Sequence, residues 1–224
     1  MPHLPPSSLR RATMLAVTLL ALASPGGRAV DFPRLQVAVL QRFGADGAAR
    51  VEEYRQQLPK WQALGERERL ERVNEFFNRT LRFDSDNSLW RQSDYWATPG
   101  ESLGLGAGDC EDFTIAKYFA LKTLGIPVSK LRMTYVRVRI GGPSSNITQA
   151  HMVLTYYDTP AAEPLVLDNL LGEIRPASRR ADLVPVFSFN SEGVWTGASS
   201  ASTPVERLSR WNQLLERMRE DGSD

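Results

Sequence analysis

An α+β domain is what this sequence predicts, and three observations carry that prediction. Apolar residues recur at helical spacing through residues 34–81 and again through 110–124. Rich β-forming runs then follow one another at 130–140, 148–157 and 164–170. Helices come before strands instead of alternating with them, so the later helix is expected to pack on an antiparallel sheet.

The elements follow in order. Arg10 and Arg11 precede "ATMLAVTLLALAS", and the small residues Gly26, Gly27 and Ala29 come after it. That is the order of a secretory signal, and the run is shorter than the roughly 20 residues of a membrane span. Residues 1–29 are therefore read as a signal peptide and 30–224 as one exported domain. An uncleaved anchor or a twin-arginine signal is the alternative. "LQVAVLQRF" is a short helical segment ending at Gly44. Val51, Tyr54 and Leu58, then Leu70, Val73, Phe76 or Phe77, and Leu81, mark two longer helices separated by Gly65, with Pro59 a kink or break in the first. Residues 84–108 are dense in Asp, Ser, Asn, Gly and Pro around Trp90, Tyr95 and Trp96, which reads as an ordered loop.

The helix over 110–124 has Asp109 as its N-cap, with Asp112 placed to reach back. Gly125 stands where a left-handed C-terminal residue belongs, and Pro127 stops continuation. "KLRMTYVRVRI" alternates from Met133 onward, "GGPSSN" is a turn, and "DTPAAE" joins the next two strands. Residues 171–200 read as mostly loop with one apolar segment, "LVPVFSF". "PVERLSRWNQLLERMR" (204–219) reads as an amphipathic helix docking through Val205, Leu208, Trp211 or Leu215, and Met218.

A net charge of +1, without a long run of one sign, gives no electrostatic basis for binding nucleic acid. The chain has one cysteine, Cys110, and two histidines. His3 lies in the signal, so His151 is the histidine left to an exported domain. A lone thiol outside the cytoplasm is an intermolecular link, a reactive group or an inert buried hydrophobe. Cys110 falls in the first turn of a helix, where unpaired backbone N–H groups favour a thiolate and could hold an oxyanion. If the strands of 148–157 and 164–170 form a hairpin centred between Thr159 and Pro160, His151 stands opposite Asp168. Their Cβ atoms would then be about 5 Å apart on one face, and Asp168 could accept from the imidazole Nδ1–H. Cys110, His151 and Asp168 are thus the candidate catalytic residues. The plainer reading is a sheet-face histidine and a turn aspartate.

Asp109, Glu111 and Asp112 crowd this thiol with the wrong charge. At an effective dielectric near 20, one carboxylate about 6 Å away disfavours a thiolate by roughly 3 kcal/mol, more than the ~1 kcal/mol a helix terminus returns. A cation would resolve the conflict, and three clustered carboxylates outside the cytoplasm suit Ca²⁺. Ordinary helix capping, with the acids turned to water, is the alternative. The spacing is not that of an EF-hand, and "GLGAG" lacks the Gly-Lys-Ser/Thr of a phosphate loop.

"DYWATPGESLGLGAGDCEDFTIAKYFALKTLGIPVSKLRMTYV", "QAHMVLTYY" and "LVLDNL" resemble the bacterial transglutaminase-like cysteine peptidases of the LapG type, over about Val73 to Trp195. The resemblance implies a papain-like α+β fold, a triad on Cys110, His151 and Asp168, and calcium held by Asp109 and Glu111 and, less directly, Asp112. Trp96 is a neighbour of the nucleophile to which no role is assigned. The resemblance also implies a periplasmic endopeptidase that cuts the N-terminal region of a large surface adhesin at a paired-alanine site and so disperses biofilm. Its inhibitory partner would be the periplasmic domain of an inner-membrane cyclic di-GMP receptor. An amide-transferring transglutaminase and a calcium-dependent binding module are the rival functions.

Overall fold

The computed structural model describes residues 30–142, 144–196, 204–205 and 208–223; the proposed signal segment, 1–29, lies outside the described residues. Helix α1 (Phe32–Gln62) begins on Asp31, whose Oδ1 accepts from Arg34 N at 3.1 Å. It is interrupted at Gly44, whose φ of 78° breaks the helical path. Pro59 sits inside the last turns of α1 without ending it. Helix α2 (Glu66–Thr80) packs antiparallel to it across the short turn at Gly65. Tyr54 and Trp61 of α1 meet Phe76 and Phe77 of α2 in a buried cluster with ring centroids 5.4–6.3 Å apart.

The 84–108 segment, read from the sequence as an ordered loop, contains short regular elements. It holds a single turn, α3 (Asp86–Leu89), and helix α4 (Pro99–Leu105), framed by two-residue strands β1 (Arg82–Phe83) and β2 (Ala107–Gly108) that pair in parallel. Helix α4 is short, so its ends need outside partners. Thr98 Oγ1 accepts from Glu101 N at 3.0 Å and Glu101 Oε2 accepts in return from Thr98 N at 2.9 Å. At the other end, the Arg50 guanidinium donates to the Leu103 and Gly104 carbonyls at 2.6 and 2.7 Å.

Helix α5 (Cys110–Thr123) crosses the middle of the molecule and closes as the sequence predicts, with Gly125 at φ 82° and Ile126 N bonded to Leu121 O at 3.0 Å. It packs on a six-stranded antiparallel sheet of β3 (Leu131–Arg139), β4 (Thr148–Tyr156), β5 (Leu165–Leu167), β6 (Arg175–Pro176), β7 (Leu183–Asn190) and β8 (Gly193–Trp195), in the order β6-β5-β4-β3-β7-β8. The expected loop over 171–200 is thus corrected: "LVPVFSF" is most of β7, paired to the far side of β3 with a register shift at Tyr135/Val136. Pro185 in that strand and the bulge beside it weaken the alternation that signals a strand. Helix α6 (Ser209–Asp221) starts later than the periodicity implies. It buries Trp211, Leu214 and Met218, with Trp211 stacked on Phe119 of α5 at 5.8 Å and edge-on to Phe189 of β7 at 5.9 Å. Among the described residues no helix is long and apolar enough to cross a membrane.

Candidate active site

Three segments meet at the start of α5. Asp109 is extended (φ −98°, ψ −165°), and Cys110 opens the helix. The Asp112 carboxylate is fully used by backbone: Oδ2 accepts from Asp109 N at 3.2 Å and Oδ1 from Ala97 N at 2.8 Å. This ties the 84–108 segment to the helix tip. A Cβ on Gly108 would lie 2.6 Å from Asp112 Cβ, so the close approach requires glycine there. Asp109 stands at the N-cap position and Asp112 reaches back to its N–H, as the sequence predicts, while Asp109 Oδ1 is buried without a hydrogen-bond partner.

The half-buried thiol of Cys110 donates to Glu111 Oε2 at 3.0 Å. Burial pushes the thiol far up from its ordinary value, and the charges of Glu111 and Asp109 push the same way. The Met152 backbone N–H, within hydrogen-bonding reach of the sulfur, opposes them. Thr114 Oγ1 lies 2.8 Å from Cys110 O and 3.1 Å from Met152 O, bridging the first turn of α5 to β4. The sulfur therefore sits against β4 one residue along from His151. No hydrogen bond joins thiol and imidazole among the described residues; a carboxylate on the next residue takes the S–H instead.

His151 and Asp168 do meet. His151 Nε2 is 2.8 Å from Asp168 Oδ1, and both side chains are buried. Two details differ from the sequence-based expectation. The β4–β5 ladder pairs Leu154 with Leu167 and Tyr156 with Leu165, so the register is displaced by two residues from the simple hairpin and Asp168 falls just past the end of β5. An even displacement keeps both side chains on one face, and the imidazole spans the diagonal with its far nitrogen, Nε2, not with Nδ1. Asp168 Oδ1 also accepts from Leu170 N at 3.0 Å, and Oδ2 accepts from Arg180 Nη2 at 2.7 Å. Burial pushes Asp168 up, but the His151 hydrogen bond and charge, Leu170 N–H and Arg180 together hold it down at about 2. As an anion it accepts, so Nε2 carries the proton of this contact and Nδ1 is the ring nitrogen that does not face Asp168.

Asp86 and Asp94 join the acidic group, which sequence spacing did not reveal. Ligand oxygens of Asp86, Asp109 and Asp112 lie within 4.8 Å of one another, as do those of Asp86, Asp94 and Glu111. Asp86 Oδ1, Asp94 Oδ1 and Asp109 Oδ1 are buried without hydrogen-bond partners. Burial, then the charges of Glu111 and Asp94, push Asp86 up to about 6. Burial, then Glu111 and Asp112, push Asp109 up to about 10. Arg210 of α6 offsets one charge through Asp94 Oδ2 at 2.9 Å. Unpaired buried carboxylate oxygens, several within one coordination radius, are the donor set of a hard cation. The residues fit calcium, with Asp112 the member least available because backbone N–H groups occupy both its oxygens. Trp96 is a core residue stacked on Phe189 at 5.5 Å, one position before the Ala97 N–H that holds Asp112. Arg180 and Lys117, the buried cations near Asp168, carry no sequence signal; burial pushes Lys117 down to about 7 against the charge of Asp168.

The arrangement has known counterparts. The family model described as bacterial transglutaminase-like cysteine proteinase matches residues 45–197. Among solved structures, Legionella pneumophila LapG superposes with a TM-score of 0.71 at 37% identity, covering 85% of this chain and 98% of that one. Its EGTA-treated form gives 0.73 at 36% identity over 85% of this chain and 98% of that one. Its calcium-bound form gives 0.71 at 37% identity over 84% and 98%. The chain has no match among curated proteins.

Proposed function

Because the chain belongs to the bacterial transglutaminase-like cysteine proteinase family, we propose that it is a calcium-dependent periplasmic cysteine endopeptidase with Cys110, His151 and Asp168 as its triad. The observation that carries the reading is the 2.8 Å contact of His151 Nε2 with Asp168 Oδ1, which leaves Nδ1 as the base one residue along β4 from the thiol's neighbour, Met152. His151 Nδ1 takes the thiol proton, and the sulfur adds to the scissile carbonyl carbon. The resulting oxyanion lies at the start of α5, where backbone N–H groups, that of Cys110 included, are free to donate. The imidazolium returns its proton to the leaving amine as the C–N bond breaks. Water, deprotonated by the same nitrogen, then cleaves the thioester. Asp168 keeps the ring oriented and stabilises its charged form.

Asp86, Asp94, Asp109 and Glu111 would hold the calcium ion, which when bound neutralises the charge that disfavours the thiolate. The EGTA-treated and calcium-bound forms of the Legionella protein support that dependence. The substrate on this reading is the N-terminal region of a large surface adhesin, cut to release it and disperse biofilm. The periplasmic domain of an inner-membrane cyclic di-GMP receptor is the inhibitory partner. The test is incubation with an adhesin N-terminal fragment in calcium or in EGTA, with products read by mass. Cleavage in calcium that stops in EGTA and in Cys110→Ala is expected. A Cys110→Ala variant that still cuts ends the proposal.

A further inference from the structure

Behind Asp168 stands a guanidinium that none of these steps uses. Arg180 is 4% exposed. It follows a 3-10 turn, Ala177–Arg179, and grips Asp182 with Nε on Oδ1 at 3.0 Å and Nη2 on Oδ2 at 2.8 Å. The same Nη2 meets Asp168 Oδ2 at 2.7 Å. The Asp168 carboxylate is therefore divided, one oxygen for Arg180 and the other for His151 and the Leu170 N–H. This division matters because β5 ends at Leu167. No strand pairing fixes residue 168, and its side chain must be set by its own partners, together with the Asn78 amide that donates to its backbone carbonyl at 2.8 Å. Rotation of the carboxylate would break the Arg180 contact and remove Oδ1 from the ring.

We propose that Arg180 is a positioning residue of this active site, braced by Asp182, which locks the Asp168 carboxylate and through it the Nε2–H form of His151. The proposal rests on the cysteine-peptidase reading for its effect on rate, but the lock itself is a property of the folded protein. A single N–H from the fork reaches Asp168, so a lysine can replace part of it as a point charge, whereas a neutral amide cannot.

The experiment compares Arg180→Gln, Arg180→Lys and the exposed neighbour Arg179→Gln in the calcium-loaded protein. Circular dichroism reports folding. For Arg180→Gln, kcat is expected to fall on the order of 10- to 100-fold with KM within about twofold, since misplacement of a catalytic group acts on the chemical step. Arg180→Lys should recover most of kcat, and Arg179→Gln should match wild type. Proton NMR supplies the readout that a merely structural ion pair would not move. The slowly exchanging downfield Nε2–H resonance of His151, assigned by its absence from His151→Gln, should weaken or vanish in Arg180→Gln and persist in Arg180→Lys. A folded Arg180→Gln whose resonance is unchanged overturns the proposal, whatever its rate. If Arg180→Gln does not fold, Asp182→Asn loosens the brace while leaving the Asp168 contact, and the same weakening is required of it. Wild-type protein that cleaves nothing defeats the peptidase reading alone, because the resonance comparison still decides whether Arg180 holds the pair.

Discussion

Cys110 and Asp168 are pushed in opposite directions by the same physics. Both are removed from water, yet Asp168 is surrounded by donors and held at about 2, while the thiol is surrounded by carboxylates and pushed up. Neutralising those carboxylates should release the thiol. The rate of Cys110 alkylation by iodoacetamide at pH 7 is expected to be at least tenfold higher in calcium than in EGTA, a shift of about one unit in the thiol. Equal rates would remove the ion from any role at the sulfur. For Asp168 the sign is the reverse of the thiol's. Its folded value lies below the ordinary carboxylate value of about 3.9, so the folded state binds fewer protons than the unfolded chain. The stability this supplies, about 2 kcal/mol, is complete above pH 4 and is lost as pH falls toward 2. Urea melts of wild type and Asp168→Asn between pH 5 and 2.5 should show a shallower loss of stability in the variant, because the Asp168 share of the slope is gone.

Among the elements, α1 and α4 approach each other closely at two glycines. A Cβ on Gly47 would lie 2.7 Å from Gly104 O, and one on Gly104 would lie 2.3 Å from Phe43 Cδ2. Helix propensity alone favours Gly47→Ala by about 1 kcal/mol, but the carbonyl it would strike belongs to backbone that Arg50 holds in place. Gly47→Ala is therefore expected to destabilise, by about 1–3 kcal/mol. A thermal melt at or above the wild-type midpoint would show that α4 can move aside. Since α4 runs directly into β2 and the Cys110 turn, the same variant should lower peptidase activity. The strands were legible to different degrees. The β3 and β4 segments showed in their β-branched runs, while β7 was hidden by Pro185 and the shift beside Val136.

At the scale of the molecule, calcium would join parts far apart in the chain: Asp86 and Asp94 before α4, Asp109 and Glu111 at the tip of α5, and, through Arg210, helix α6. An ion that binds only the folded form stabilises it by about 2.7 kcal/mol at one hundred times its dissociation constant. For a domain of this size that corresponds to a rise of roughly 5–10 °C in the melting midpoint. The midpoint in calcium should exceed that in EGTA by this amount, and Asp109→Asn should shrink the difference. A midpoint indifferent to calcium would leave the buried carboxylates without their counter-ion.

The α+β class, the central helix and both its ends were readable in the chain because each is written in neighbouring residues: Asp112 three after Asp109, Gly125 after the last turn, alternation along β3. The thiol and the histidine stand out because the chain has one cysteine and two histidines, whereas Asp168 is singled out among many aspartates only by an assumed hairpin pairing that the fold displaces by two residues. The rest depended on distances that no local spacing encodes. Only the fold decided that Nε2 and not Nδ1 faces Asp168, because the hairpin register is set by an irregular loop over 157–164. Only the fold brought Asp86, Asp94 and Arg180 to the site, because Asp86 opens the single turn α3, Asp94 lies between α3 and α4, and Arg180 follows a 3-10 turn, none of them in a segment with a periodicity that could place it.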